Sequence, residues 1–217
     1  AVLGGIDGCV TTFAVVSGAF GAGFSPQVAL VLGFANLIAD GFSMAVSNYE
    51  AGQVQLNQIK FAERTEREHI TAVPEGEREE IRQLFQAKGF DGELLEQVVD
   101  VISRNPDVWV ATMLREEYGL SGAGISPRRA ALTTFAAFLS VGALPLLPYA
   151  IPGLESRIQF MISLGLAGVV FLGIGMLKSI VYGLPVVRSG LRTLSMGTAA
   201  AGLAFGAGHF AQRLLGG

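Results

Sequence analysis

Glu66 and His69, Glu77 and Glu80, and Met113 and Glu117 form three pairs whose members lie three or four residues apart. On a helix that spacing puts both side chains of a pair on one face. E-x-x-H and E-x-x-E arrangements on helices bind iron or manganese through carboxylate and imidazole, so three helices presenting such pairs could converge on metal. Two further carboxylates, Asp7 and Asp40, stand in long stretches that otherwise carry no charge. An ionisable group within an apolar span is expensive to hold there and by default marks a pathway. Asp7 falls about five residues, ~8 Å, inside the start of its stretch, while Met44 and Asp40 lie ~6 and ~12 Å from the end of theirs. Carboxylate and thioether at one depth suit a borderline transition metal better than Mg²⁺ or Ca²⁺, which prefer shells made only of oxygen.

Each of these residues also has a plainer reading that spacing leaves open. Glutamates near helix starts are favoured by the macrodipole, and mixed Glu and Arg allow many solvated pairs. His69 then caps or covers a surface, Asp40 hydrogen-bonds a neighbouring helix, and Met44 fills core space.

The elements that must position them follow from a very uneven charge distribution. Of the 217 residues, 51% are hydrophobic and 15% charged, and residues 50 to 129 hold ten Lys/Arg and fifteen Asp/Glu of the chain's 15 basic and 18 acidic residues. No charge occurs from Gly8 to Ala39, from Ala130 to Leu154, from Ile158 to Leu177 or from Thr193 to Gln212. A helix needs about 20 mainly apolar residues to cross a bilayer, and "GAFGAGFSPQ" supplies a Gly/Pro turn inside the first run. The expectation is an all-α membrane protein with five transmembrane helices over roughly 2–23, 27–48, 130–150, 157–178 and 192–213. Residues 1–49 hold the first two spans, 50–127 a cytoplasmic helical metal-binding insert, and 128–217 the last three spans. Gly4, Gly5, Gly8, Gly18, Gly21 and Gly23 let the first span pack closely against another helix or a second copy of itself.

Lys178, Arg188 and Arg192 mark the connection between the fourth and fifth spans as cytoplasmic. Lys60, Arg128 and Arg129 flank the insert, which lies on that same side, and the N-terminus is inside and the C-terminus outside. Within the insert, the second span continues as helix to about Ile70, since no proline intervenes before Pro74. Three shorter helices follow: one with Pro near its start and Gly89 after its end, one with an apolar stripe of Leu94, Leu95, Val98, Val99 and Ile102, and one capped by Asn105 with Pro106 at its first position. Cys9 is the only cysteine, which excludes an internal disulfide and a multi-thiolate metal site. A net charge of −3 gives no reason to expect nucleic acid. No nucleophile with an adjacent base and no cofactor loop argues for enzymatic chemistry.

The segments "GGIDGCVTTFAVVSGAFGAG", "ANLIADGFSMAVSNYEA", "ITAVPEGEREEI", "RNPDVWVATMLREEYGL" and "ALPLLPY", in this order around an acidic helical insert, resemble the vacuolar iron transporter family across essentially the whole chain. The resemblance implies a homodimeric, proton-coupled exporter of Fe²⁺ from the cytosol across a bacterial inner membrane or a vacuolar membrane, with the first spans of both copies lining the path. Mn²⁺, Co²⁺ or Zn²⁺ are further candidate substrates, and the residues do not decide among them. The family's transport site, an Asp in the first span and a Met in the second, matches Asp7 and Met44. Its insert ligands match Glu66, Glu77, Glu80, Met113 and Glu117. His69 stands at what looks like a glutamate position, which would alter affinity or pH response, and Asn36 stands where an acidic residue is expected, which bears on proton coupling. Some relatives carry a ferritin-like domain ahead of the first span, and a chain starting at Ala1 would be consistent with such a protein trimmed. A membrane-anchored iron sensor or store that does not translocate metal is the alternative reading.

Overall fold

The computed structural model describes residues 2–120, 124, 126–183 and 185–215. Regular structure among the described residues is entirely helical: α1 (Val2–Gly21), α2 (Pro26–Ala72), α3 (Pro74–Ala87), α4 (Gly92–Ser103), α5 (Pro106–Glu116), α6 (Pro127–Gly142), a 3₁₀ segment (Leu144–Ala150), α7 (Ser156–Tyr182) and α8 (Val186–Leu215). The chain divides into two compact units, one of Ala1–Tyr49 with Arg128–Gly217, the other of Glu50–Pro127. Helix α2 contributes residues to both.

In the first unit, α1 packs against α7 and α8 and meets α6 by direct backbone approach. A Cβ added at Gly4 would lie 2.6 Å from the Thr134 carbonyl oxygen, and one at Gly8 2.5 Å from that of Phe138. One at Gly21 would lie 2.4 Å from the Phe205 oxygen, and one at Gly208 on α8 2.1 Å from that of Gly18. The glycine face of α1 is thus filled from within the chain, by α6 at one end and α8 at the other. Two apolar clusters fill the spaces between helices. One contains Val16, Leu37, Phe138 and Leu146, the other Cys9, Phe13, Ala167 and Phe171, and Phe160 packs against both while stacking on Phe20 with ring centroids 4.2 Å apart. Because the α1–α8 approach leaves no room for a methyl group, Gly21→Ala is expected to lower the melting temperature in detergent by roughly 5 °C, through overpacking alone.

Among the described residues, α1, α2 and Ser156–Ser179 of α7 are long and apolar enough to cross a membrane, and α6 with the 3₁₀ segment makes a fourth candidate bent by 43°. Pro145 and Pro148 cause the break, since neither can donate the hydrogen bond that would continue α6. Helix α8, the fifth expected span, falls outside that group. Its middle is built of Gly, Ala, Ser and Thr, and it carries Arg188, Arg192, His209 and Arg213, so its apolar character is diluted even though it packs on α1 and α7.

The second unit is held by α3, α4 and α5 around Ile81, Leu95, Val99, Ile102, Trp109 and Met113, with Ile70 of α2 packed against them. Asn105 caps α5 by accepting hydrogen bonds from the Asp107 and Val108 amides at 3.0 and 3.4 Å. Arg78 bridges α3 to α4 through Asp100 (2.5 Å) and Ser103 (2.6 Å), and Arg82 does so through both oxygens of Glu96. Of the apolar stripe expected on α4, Leu95, Val99 and Ile102 turn inward, whereas Leu94 is 56% exposed; a helix of this width buries one row, and Leu94 lies on the neighbouring row.

Candidate functional site

Two groups stand out among the acids of the second unit. Glu63, Glu68, Glu79, Glu96, Asp100, Asp107 and Glu116 each pair with an Arg or Lys, as the solvated-face reading requires. Glu66, Glu77, Glu80 and Glu117 have no Arg or Lys partner among the described residues. Two of these are deeply buried: Glu66 on α2 is 1% exposed and Glu77 on α3 is 5% exposed. Glu66 accepts a hydrogen bond from the Tyr118 hydroxyl at 2.8 Å on Oε1. Its Oε2, like Oε2 of Glu77, is enclosed without any hydrogen-bond partner, and a buried polar atom left so costs on the order of 1–3 kcal/mol. His69 Nδ1 lies 3.4 Å from Glu77 Oε1, with the imidazole half exposed.

Electrostatics tie this group together. Burial pushes the Glu77 carboxyl up to about 7, with Glu66, Glu80 and Glu117 reinforcing and His69 opposing. The Glu117 carboxyl is raised as well, chiefly by burial and then by Glu66 and Glu80, again opposed by His69. Glu80 and Glu117 are solvent-facing residues at the edge of the group. Among the described residues, however, no three His, Cys, Asp or Glu side chains converge at metal-ligating geometry. Met113 is fully buried beside Ile81, Val99 and Trp109, a position that serves the apolar core directly. The structure therefore brings Glu66, His69, Glu77, Glu80 and Glu117 into one electrostatic neighbourhood without assembling them into a cage. Replacing Glu77 and Glu80 together by Ala is expected to weaken Mn²⁺ binding by about tenfold in calorimetry, two carboxylates being lost at once. Unchanged affinity would return both residues to the solvated face.

In the first unit, Asn36, Asp40, Met44 and Asn48 recur every four residues along one face of α2, each partly buried. Asn48 donates to Thr134 Oγ1 at 2.7 Å, fixing this face of α2 against α6, and Met44 packs against the cluster containing Leu37 and Phe138. Asn36 Nδ2 is enclosed without a partner. Asp7 on α1 and Asp40 on α2 lie within electrostatic reach of each other. Neither carboxylate accepts a hydrogen bond from, or pairs with, another described residue, so the structural reading of Asp40 as a hydrogen-bonded strut finds no partner. Two carboxylates held together in an apolar setting repel, and a cation between them removes the repulsion.

Two residues of interest escaped the spacing rules. Tyr118 meets Glu66 across 52 positions of sequence, a juxtaposition no local pattern encodes. Asn48 continues the four-residue repeat that includes Met44, and that repeat was the signal available for it.

Comparison with known proteins agrees with the sequence resemblance. The chain matches the VIT family over residues 1–209. It is 30% identical over 208 residues to "Vacuolar iron transporter 1" of Oryza sativa subsp. japonica, covering 94% of this chain and 81% of that one. It is 29% identical over 209 residues to "Vacuolar iron transporter" of Centaurea cyanus, covering 94% and 84%, and 29% identical over 224 residues to "Vacuolar iron transporter" of Toxoplasma gondii, covering 99% and 74%. With the match running over nearly the whole chain and over helices long and apolar enough to span a bilayer, the protein belongs to the VIT family of vacuolar iron transporters, whose members are transporters rather than enzymes.

Proposed function

We propose that this protein exports Fe²⁺ from the cytosol across a membrane in exchange for protons, working as a homodimer of five-span subunits whose residues 50–127 form a cytoplasmic metal-collecting insert. The observation that carries this reading is the Asp7 and Asp40 carboxylates, partly buried on apolar helices, close enough to influence each other electrostatically and without a counter-charge among the described residues. A divalent cation passing between them would supply the charge they lack, and Met44, one turn beyond Asp40, adds a soft donor that favours Fe²⁺, Mn²⁺, Co²⁺ or Zn²⁺ over Mg²⁺. In the insert, the unpartnered oxygens of Glu66 and Glu77, with His69, Glu80 and Glu117 around them and Met113 as the soft candidate ligand, would gather the same ions at the cytoplasmic face. The membrane is a vacuolar membrane or a bacterial inner membrane, with the lipid-facing apolar residues of α2 and α7 in contact with its hydrocarbon.

The test is transport by the purified full chain in vesicles carrying a metal-quenched dye and a pH dye. Metal-dependent quenching accompanied by opposite proton movement supports the exchanger, and competition among Fe²⁺, Mn²⁺, Co²⁺ and Zn²⁺ ranks the substrates. Metal binding to the protein with no quenching of the lumenal dye would establish instead the membrane-anchored sensor or store, a reading to which the buried acids of the second unit are equally suited.

A further inference from the structure

Five cations of the first unit gather at one end of its helices. A Cβ at Gly4 would touch Thr134 of α6, one at Gly5 would lie 3.6 Å from Ile174 of α7, and one at Gly175 would lie 2.7 Å from Gly190 of α8. These contacts put Gly4, Gly5, Thr134, Ile174 and Gly190 in one layer across the bundle. From that layer Arg128 and Arg129 lie ~8 Å toward the start of α6, Lys178 lies ~6 Å toward the end of α7, and Arg188 and Arg192 flank Gly190 within ~3 Å along α8. All five are exposed, and none forms an ion pair with a described residue. Two acids lie near the layer: Asp7, ~3 Å to the inward side along α1, and Glu50, ~3 Å along α2 beyond Asn48, whose side chain donates to Thr134; against five cations they leave the end basic, and Glu155 precedes α7 at its opposite end.

Bulky aliphatic side chains are interleaved with these cations. Leu132 is 70% exposed, Leu177 56%, Val187 65% and Leu191 55%, each within four residues of one of the five. A surface built for a soluble phosphate compound would not surround its cations with exposed aliphatics. A surface at the boundary of headgroup and hydrocarbon requires both, with the aliphatics in the acyl region and the cations reaching up to the phosphates.

We propose that Arg128, Arg129, Lys178, Arg188 and Arg192 form a belt that binds anionic phospholipid headgroups. The belt selects phosphatidylglycerol over phosphatidylcholine, because the phosphates of both are alike and only the first leaves a net negative charge to neutralise.

Native mass spectrometry of the full chain in mild detergent, titrated with each lipid, reads this directly. Phosphatidylglycerol is expected to be retained at about tenfold lower concentration than phosphatidylcholine, and raising ionic strength from about 0.05 to 0.5 M should erase most of that preference. Arg188→Gln with Arg192→Gln should reduce phosphatidylglycerol retention on the order of tenfold, leave phosphatidylcholine retention unchanged, and be rescued by Lys at both positions. Inorganic phosphate at about 20 mM should not displace the lipid. Equal retention of the two lipids, or a preference indifferent to salt, overturns the belt even if the Gln variant fails to fold. Displacement by inorganic phosphate would assign the cations to a soluble phosphate ligand and overturn the lipid assignment.

Discussion

Asp7→Asn is expected to reduce metal transport in reconstituted vesicles by at least about 100-fold while leaving the fold and the insert's metal affinity intact. Asparagine keeps the size of the side chain and its helix position, so the close approaches at Gly4 and Gly8 on either side are undisturbed. The charge alone is lost. A carboxylate and a single positive charge ~4 Å apart interact by about 4 kcal/mol at the effective dielectric of a protein site, and a dication by more; even after the ion's lost hydration consumes most of this, about 3 kcal/mol of differential binding gives the stated factor. Asp40→Asn should be less damaging, because Asp7 would remain, and its partner's repulsion would be gone. Transport by Asp7→Asn at the parent rate would show that the cation does not pass this carboxylate, and with it the exchanger reading of the first unit would fall. Retained binding by the insert in the same variant separates loss of passage from loss of capture.

What could be read from the chain beforehand divides by the range of the interaction concerned. The Asn105 cap was legible because its cause, an Asx side chain before Pro106, acts within a few residues, whereas the bend that Pro145 and Pro148 impose went unread, 130–150 being expected as one straight span. The glycines of α1 announced a close-packed face but not its occupant, since α6 and α8 reach that face only through the tertiary fold. Depth along α1 and α2 supplied the expectation that Asp7 and Asp40 share a layer, because a membrane-spanning helix has a fixed rise and converts sequence position into height. In the insert the same spacing argument identified Glu66 and Glu77 together with Glu80 and Glu117, but spacing carries no information on burial. That Glu66 and Glu77 are enclosed while Glu80 and Glu117 face solvent depends on how α2, α3 and α5 pack. Met113 illustrates the limit: its four-residue separation from Glu117 is shared by ligand pairs and by core residues alike, and the structure seats it among Ile81, Val99 and Trp109.

Metal binding by the second unit should fall about 25-fold between pH 7.5 and pH 5.5, followed by calorimetry with Mn²⁺. Glu77 must be ionised to ligate, and burial beside Glu66 and Glu80 pushes its carboxyl up to about 7, so protons compete across the range where an ordinary glutamate would already be fully charged. The metal-free protein should show the opposite trend. A carboxyl whose folded value is raised binds its proton more tightly when folded, so its stabilising contribution is complete below the ordinary value near 4.5 and is lost as pH rises through about 7. Across that window the second unit loses about 2–3 kcal/mol of stability, reckoned from the size of the shift. Saturating metal reverses the slope, because it binds the ionised carboxylate and stabilises the folded state by mass action. Melting curves at pH 5.5 and 7.5, with and without Mn²⁺, should therefore cross: metal-free protein melts higher at the lower pH, loaded protein at the higher. Parallel curves would mean that Glu77 titrates in the ordinary range or does not touch the ion. Glu77→Gln decides between these, since it leaves the pH slope of the metal-free protein unchanged in the first case and flattens it in the second.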